Sequence, residues 1–574
     1  MKFGSHILHI TYYLLFFFFV SCSDKMKKEV HPFEFYFDFT EEILRLEKEN
    51  PVVKKSVMQD GKSETISDTI NWKNELALFV EADINKMQFK DAYEILTEEN
   101  SNQKKIKYIA KEKGIPVKLL ELTYLGNEII GVFIHKEVDN LIIKSKYDLH
   151  YFPMKGYRIS TMQSIPLLYN EKFFIEGIFL NIKEGKWRAA LKIPVESNER
   201  TLEIPFHFIL KNNNGKYSAE ILNAEEKILC NEVSLKKDSI FIKLPVFDSE
   251  LKGKFILDTL INGVWCNYSK GSNYIIPFYA EYEKSYRFNI SADRFQNAHS
   301  VISGKWEANF SSGTKDFYKA VGIFNQNGMN ISGTFLTETG DYRYLEGTAA
   351  NDTLLLSCFD GSHAFLFKAV LKNENILDGM FYSGIHWKEP FTAKKNEKAK
   401  LTNPDSLTFL KDGYSQLSFS FPDLDSNIIS LPDKKFQNKV VIIPVMGSWC
   451  PNCLDETIFL SEIYKNHHEK GLEIVALSFE RSAEFSKAKH AVKRFKEQLN
   501  APYDFLIAGI ASTAKANEAL PMLNKIISFP TTIFIDRNGK VRKIHTGFYG
   551  PGTGEYYTKF KEETTAFIEK LLRE

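Results

Sequence analysis

Cysteine is scarce. The 574-residue chain has six, at positions 22, 230, 266, 358, 450 and 453, far too few for a disulfide-built scaffold of this size. Neither sign of charge is in excess: 74 Lys and Arg against 73 Asp and Glu leave a formal +1. No basic cluster is dense, so nucleic acid is excluded as the main partner. Beyond residue 22 no apolar run approaches the ~18 residues of a membrane-spanning helix. A second close cysteine pair is missing, and His467 and His468 are adjacent rather than about three to five residues apart. A zinc finger is thereby excluded and no metal is expected.

The apolar share is 44% and the charged share 26%, ordinary for folded domains, and the length suits about three to five of them at roughly 150 residues each. Phe 47 and Tyr 26 are high counts that favour strands. The first residues, MKFGSHILHITYYLLFFFFVSC, set Lys2 before an apolar stretch from Ile7 to Val20 that is short for a span. Phe19-Val20-Ser21-Cys22 resembles a bacterial lipobox, with Phe19 where such boxes usually carry Leu. The resemblance implies a signal peptide at 1–21, a lipidated Cys22 as mature N-terminus, and a cell-envelope protein held to a membrane through acyl chains. Residues 23–29, SDKMKKE, carry no acidic run, which fits a periplasm-facing anchor. A plain secretory signal or a short anchor stays open.

Residues 30–165 are expected to form an α+β module. Thr40 is the expected N-cap of a helix stopped by Pro51, one or two more helices are expected within 68–98, and strands follow from Val117. Residues 166–400 are nearly all strand and turn, and they hold a duplication. Gly185-Lys186-Trp187 recurs as Gly304-Lys305-Trp306, Asn214-Gly215 as Asn327-Gly328, and Asp238-Ser239-Ile240 as Asp352-Thr353-Leu354. Phe247-Asp248-Ser249 recurs as Phe359-Asp360-Gly361, and Asn262-Gly263 as Asp378-Gly379. Two antiparallel β-meander units of roughly 115 residues, 166–285 and 286–400, are expected, closed as barrels or sandwiches with Gly-containing hairpin turns. Cys230, Cys266 and Cys358 fall in their strands as buried thiols, with a Cys230–Cys266 bridge left open.

A polar linker at 394–406 precedes a different pattern. Across 405–574 strands alternate with helices, the mark of an α/β sheet covered on both faces. There the strand VVIIPVM runs into GSWCPNC at 447–453 and then a helix. Cys450 opens that helix, where free N–H groups and the dipole stabilise a thiolate. Pro451 occupies the first turn, where a missing N–H costs nothing. Cys453, one turn on, is placed to attack a mixed disulfide on Cys450. The run 547–554, GFYGPGTG, lacks the Lys-Ser/Thr ending of a phosphate loop and reads as the loop before the last helix.

WCPNC followed by Ser528-Phe529-Pro530-Thr531 before the strand TTIFID resembles the thioredoxin superfamily, and more narrowly the TlpA/ResA-like thiol–disulfide oxidoreductase lipoproteins of Bacteroidota. The resemblance covers 405–574. It implies a redox disulfide between Cys450 and Cys453, with Cys450 the nucleophile and Cys453 the resolving thiol. It further implies that Pro530 is cis and docks the substrate strand, that Trp449 shields the site, and that no dissociable cofactor is needed. Protein thiol or disulfide clients and a membrane electron donor are the implied partners, with reduction as the direction. Two departures stand out. Pro444 occupies the place of the buried Asp of thioredoxin, so Glu480 is the candidate for its proton-handling role, and Pro-Asn replaces Gly-Pro between the cysteines. Gly447 stands where a peroxiredoxin-type site needs Thr or Ser, and a CxxC loop closes too little chain to act as a staple. The competing reading is a binding lipoprotein in which residues 30–400 recognise a partner and the redox domain is secondary.

Overall fold

The computed structural model describes residues 33–49, 51–59, 62–67, 70–100, 103–139, 144–165, 169–194, 201–213, 215–289 and 301–574. Cys22 and the whole signal segment lie outside the described residues. The chain divides into two compact units, one ending at Phe179 and one running from Leu180 to Glu574.

The first unit is built on a nine-stranded sheet. Its order puts the first strand, Val52–Gln59, beside the last, Tyr169–Leu180, with an antiparallel meander between. The sheet therefore runs past the expected boundary at 165, because Tyr169–Leu180 pairs with Gly156–Ile165 along its length. Phe39–Glu49 is helical, but its N-terminus is capped by Asp38, whose carboxylate accepts from the N–H groups of Thr40 and Glu41, and not by Thr40. Among the described residues of 68–98 the one or two helices expected are two short ones, Trp72–Glu75 and Ala77–Glu81, while Tyr93–Glu99 is a strand paired with Lys104–Ala110. Trp72, Leu76 and Phe79 join the core of the sheet.

The second unit contains the duplication. Gly185–Pro194 and Gly304–Phe310 are the first strands of two nine-stranded sheets, and each lies beside the last strand of its own sheet, Ile275–Tyr282 and Trp387–Lys395. The repeated tryptophans do the same job. Trp187 donates its indole N–H to Lys183 O at 3.1 Å and Trp306 to Ile302 O at 2.8 Å, each four residues back, and both are fully buried. An added pairing of Tyr318–Asn327 with Asn330–Thr337 closes the second sheet into a barrel, whose core holds Trp306, Phe310, Phe335 and Phe367. The first sheet instead ends in two edges, Glu226–Cys230 and Val233–Lys236. Alternation sets each face: in Trp387–Lys395, Glu389, Phe391 and Ala393 are buried, while Lys388, Pro390, Thr392 and Lys394 are exposed.

Not every repeated Asn/Asp-Gly is a turn. Gly263 and Gly379 lie inside strands, and a Cβ on Gly263 would sit 2.1 Å from Lys252 O. Close strand approach, not chain reversal, requires glycine there. Cys230, Cys266 and Cys358 are buried and unbonded, so the Cys230–Cys266 bridge is not made. The two sheets meet around Arg287, 4% exposed, which donates to Ser357 Oγ, Leu222 O and Asn223 Oδ1 and pairs with Glu346 at 2.7 Å.

The C-terminal part follows the expected alternation closely. Its five-stranded sheet has the order Asp504–Ile510, Leu472–Glu480, Val440–Met446, Thr531–Ile535, Val541–Thr546. Val440–Met446 is buried at every position, parallel to Leu472–Glu480 on one side and antiparallel to Thr531–Ile535 on the other. Its residues Val440, Ile442 and Met446 pack with the helices Pro451–His467, Phe485–Leu499 and Glu555–Arg573. Val441, Ile443 and Val445 pack with Thr513–Ala519 and the segment 417–436. The helix expected over 514–524 ends at Ala519, and the following Asn524 spends its side chain on the 407–409 backbone.

Candidate active site

Strand Val440–Met446 delivers the chain to the rim of the sheet, and the helix Pro451–His467 starts at once. Cys450 is the N-cap of that helix, in extended conformation, and its Sγ accepts the N–H of Cys453 at 3.3 Å. A sulfur thus takes the place of the usual capping oxygen and meets one of the helix's unpaired donors. Cys450 is 6% exposed and Cys453 is fully buried. Burial, followed by the hydrogen bond and charge of Cys450, pushes the Cys453 thiol well above the ordinary range. The Phe529-Pro530 peptide is cis, and Phe529 O lies 3.5 Å from Cys450 Sγ. Trp449 stands edge-on to Phe529 and donates its indole N–H to Phe479 O at 2.9 Å. Gly447 is required by that arrangement, since a Cβ would lie 2.4 Å from the Trp449 Nε1.

The other wall of the site comes from the β units. Cys450 opens into a cleft of about 1090 Å³ lined by Trp449, Cys450 and Phe529 from the thioredoxin-like domain and by loops of the β units. Barrel groups bind the motif directly. Ser362 Oγ donates to Trp449 O at 3.1 Å, Arg343 Nη1 donates to Pro451 O at 3.1 Å, and Asn452 Nδ2 donates to Asp341 O at 3.4 Å. Gly340 makes room for that last contact, because a Cβ there would lie 2.1 Å from the Asn452 amide nitrogen. Arg343 is 6% exposed and meets carboxylates from three directions: Asp455 on the active-site helix at 2.6 Å, Glu226 of the first β unit at 2.5 Å, and Asp360 at 3.5 Å. Burial pushes Asp455 up to about 7, with Arg343 pulling the other way. The glycine-rich run is part of the same junction: Gly550 N–H donates to Asp341 Oδ2 at 2.7 Å.

Residues 411–557 match the Redoxin family. A thiol-disulfide oxidoreductase ResA of Bacillus thuringiensis is 31% identical over 124 residues, 22% of this chain and 63% of that protein. A ResA of Geobacillus thermodenitrificans is 29% identical over 24% of this chain and 69% of its own length. Among solved structures, a thiol-disulfide oxidoreductase from Bacteroides fragilis is 17% identical, covering 26% of this chain and 99% of its own, with a TM-score of 0.20. The C-terminal domain is thioredoxin-like. The chain spans less than two thirds of the length of the Bacillus thuringiensis relative, and the matched segments are about a quarter of this chain.

Within the thioredoxin-like domain, Cys450, Cys453, Trp449 and Pro530 gather at one rim, as their motifs led one to expect. Glu480 sits beneath the same turn and is 2% exposed. Its Oε1 accepts from Ser448 N–H at 2.9 Å and from Ser478 Oγ at 2.6 Å, and its Oε2 accepts from Ser448 Oγ at 2.6 Å. Burial raises its carboxyl above the usual range against those three bonds. The carboxyl whose charge bears on Cys453 is a different one, Glu456. Glu456 is 3% exposed, accepts from Thr532 Oγ1 at 2.5 Å, and is pushed up to about 8 by burial. Sequence reasoning passed over it. The signal was its spacing, three residues after Cys453 on the same helix and hence on the same face. His467 and His468 lie at the opposite end of that helix.

Proposed function

We propose that this chain is a thiol–disulfide oxidoreductase of the cell envelope, held to a membrane through an acylated Cys22 and acting as a reductase of protein disulfides. The observation that carries the reading is the Cys450–Cys453 pair at a helix N-terminus, beside the cis Phe529-Pro530 peptide, in a thioredoxin-like domain.

In this reading the Cys450 thiolate attacks one sulfur of a client disulfide. A Cys450–client bond forms, the client S–S bond breaks, and the departing thiolate takes a proton. Cys453 then loses its proton and attacks Cys450 Sγ. The internal disulfide forms, the client's second sulfur leaves as a thiol, and two electrons have passed to the client. The Cys453 proton needs an acceptor, because burial disfavours the thiolate. Glu456, whose carboxyl burial pushes up to about 8, accepts that proton when it is ionised. Glu480 holds the Ser448 turn that carries Trp449 and Cys450. A thiol donor at the membrane restores the dithiol, and no dissociable cofactor takes part.

The test is equilibration of the full chain with glutathione or dithiothreitol buffers, following Trp449 fluorescence, with Cys450→Ser as control. A two-electron transition near or below about −270 mV supports a reductase. A transition near about −120 mV makes the protein an oxidant. No transition, or one unchanged in Cys450→Ser, removes the redox reading.

A further inference from the structure

The cleft at Cys450 is not electrically even. Arg481 and Lys270 line it together with Cys450. The Arg481 guanidinium lies over the Trp449 ring at 4.9 Å, and its Nη1 donates to Ser269 O at 3.2 Å. Lys270, the next residue, holds its ammonium over the Tyr274 ring at 5.1 Å. Tyr274 in turn meets His386 Nδ1 at 2.9 Å, and His363 is stacked on Phe365 in the same cleft. Neither Arg481 nor Lys270 has a carboxylate partner in an ion pair among the described residues.

The cations of the cleft disfavour one another's charge. Burial and then Arg481 bring Lys270 down to about 8, and burial followed by Lys270, His363 and Arg481 brings His386 down to about 4. Asp360, the nearby carboxylate, is already engaged by Arg343 and His363. The acidic residues of the cleft belong to the barrel side. Among them, Asp341 accepts from Gly550 N–H and Arg343 N–H, and Glu389 accepts from Ser311 and Tyr318. Asp316 and Glu338 line that side too. The charges of Glu480 and of Cys450 itself bear on Arg481, but Glu480 is buried and gives its oxygens to Ser448 and Ser478, which leaves the two cations able to seat an incoming carboxylate.

Building on the oxidoreductase reading, we propose that the cleft selects an extended client segment with Asp or Glu within one or two residues of its cysteine, seated on Lys270 and Arg481. The lysine and arginine are contributed by different domains, so the acidic side chain bridges the first β unit and the thioredoxin-like domain while its cysteine sulfur faces Cys450. Aromatic faces at Trp449, Tyr274 and Phe529 line the same path and suit a peptide rather than a bare anion.

The experiment uses the reduced full chain and three short peptides. Each carries one cysteine as a mixed disulfide with a thionitrobenzoate reporter, flanked by Asp, Ala or Lys. Release of the reporter gives the exchange rate. The Asp peptide is expected to react about tenfold faster than the Lys peptide at low salt, and the gap is expected to narrow as salt screens it. Lys270→Gln is expected to shrink the preference and Lys270→Glu to invert it. Equal rates for all three peptides overturn the proposal and leave the oxidoreductase reading standing. No exchange with any peptide overturns both. Glutathione disulfide reacting as fast as the Asp peptide assigns the two cations to a small anionic disulfide and overturns the choice of a peptide.

Discussion

Arg343 Nη1, on a barrel loop, lies 2.6 Å from Asp455 Oδ2, two residues beyond the second active-site cysteine. One guanidinium thereby holds the active-site helix, the barrel and, through Glu226, the first β unit. Leaving its carboxylates buried without a cation is expected to cost about 3–5 kcal/mol in Arg343→Ala. Limited proteolysis should show the thioredoxin-like domain released from residues 180–400. Arg343→Lys should rescue little, since an ammonium lacks the planar fork that reaches three acceptors. An unchanged cleavage pattern would remove the clamp.

Cys453→Ser is expected to stop the reaction after its first step. The mixed disulfide on Cys450 should then accumulate with protein clients and appear on non-reducing gels, while Cys450→Ser should trap none. Trapping by Cys450→Ser alone would reverse the assigned order of attack.

Glu456 makes a pH prediction of definite sign. Its folded value of about 8 lies above the ordinary carboxyl value, so the folded state holds this proton more tightly than the unfolded chain. The stability this confers is fully present below the unfolded value and is lost as pH rises through about 8. Glu456→Gln keeps the shape without the titration. The difference in urea midpoint between variant and parent should therefore grow in the variant's favour from about pH 5 to 8. The same variant should slow the second exchange step, read as a longer-lived mixed disulfide. A parallel pair of midpoint curves would contradict the buried carboxyl.

Glu480→Ala leaves the Ser448 N–H and two serine hydroxyls without their acceptor, at an expected cost of about 1–3 kcal/mol. Because Ser448 precedes Trp449, the tryptophan emission should shift as well. Glu480→Gln should restore most of the stability, as an amide oxygen can still accept two of the three bonds. Failure of Gln to rescue would mean that the charge itself matters there.

The thioredoxin-like domain was legible because its information is local. Cys450, Pro451 and Cys453 declare a helix start, and the strand periods around them leave little choice of fold. The duplication was legible for the same reason, since Trp187 and Trp306 close equivalent strands in the same way. The meander of the first unit was less visible, as the helices at 72–81 interrupt it and it lacks the Gly-Lys-Trp anchor. Asn262-Gly263 has the composition of a hairpin turn, and only the crowding of Lys252 O shows that glycine serves close packing. Glu456 carried a readable spacing, but an acid on a helix ordinarily means a solvated face. Arg343 had no local sign at all: its partner Asp455 is 112 residues away, and nothing in either neighbourhood points to the other.

The contact between Gly340 and Asn452 has an evolutionary consequence. Asn452 lies between the two cysteines, yet its side chain abuts another domain. A bulkier residue at 340 demands a smaller one at 452, so the two positions should drift together across descendants of this chain. Selection acting on the segment between the cysteines and selection acting on the barrel's grip share one site, and neither is free to change without the other.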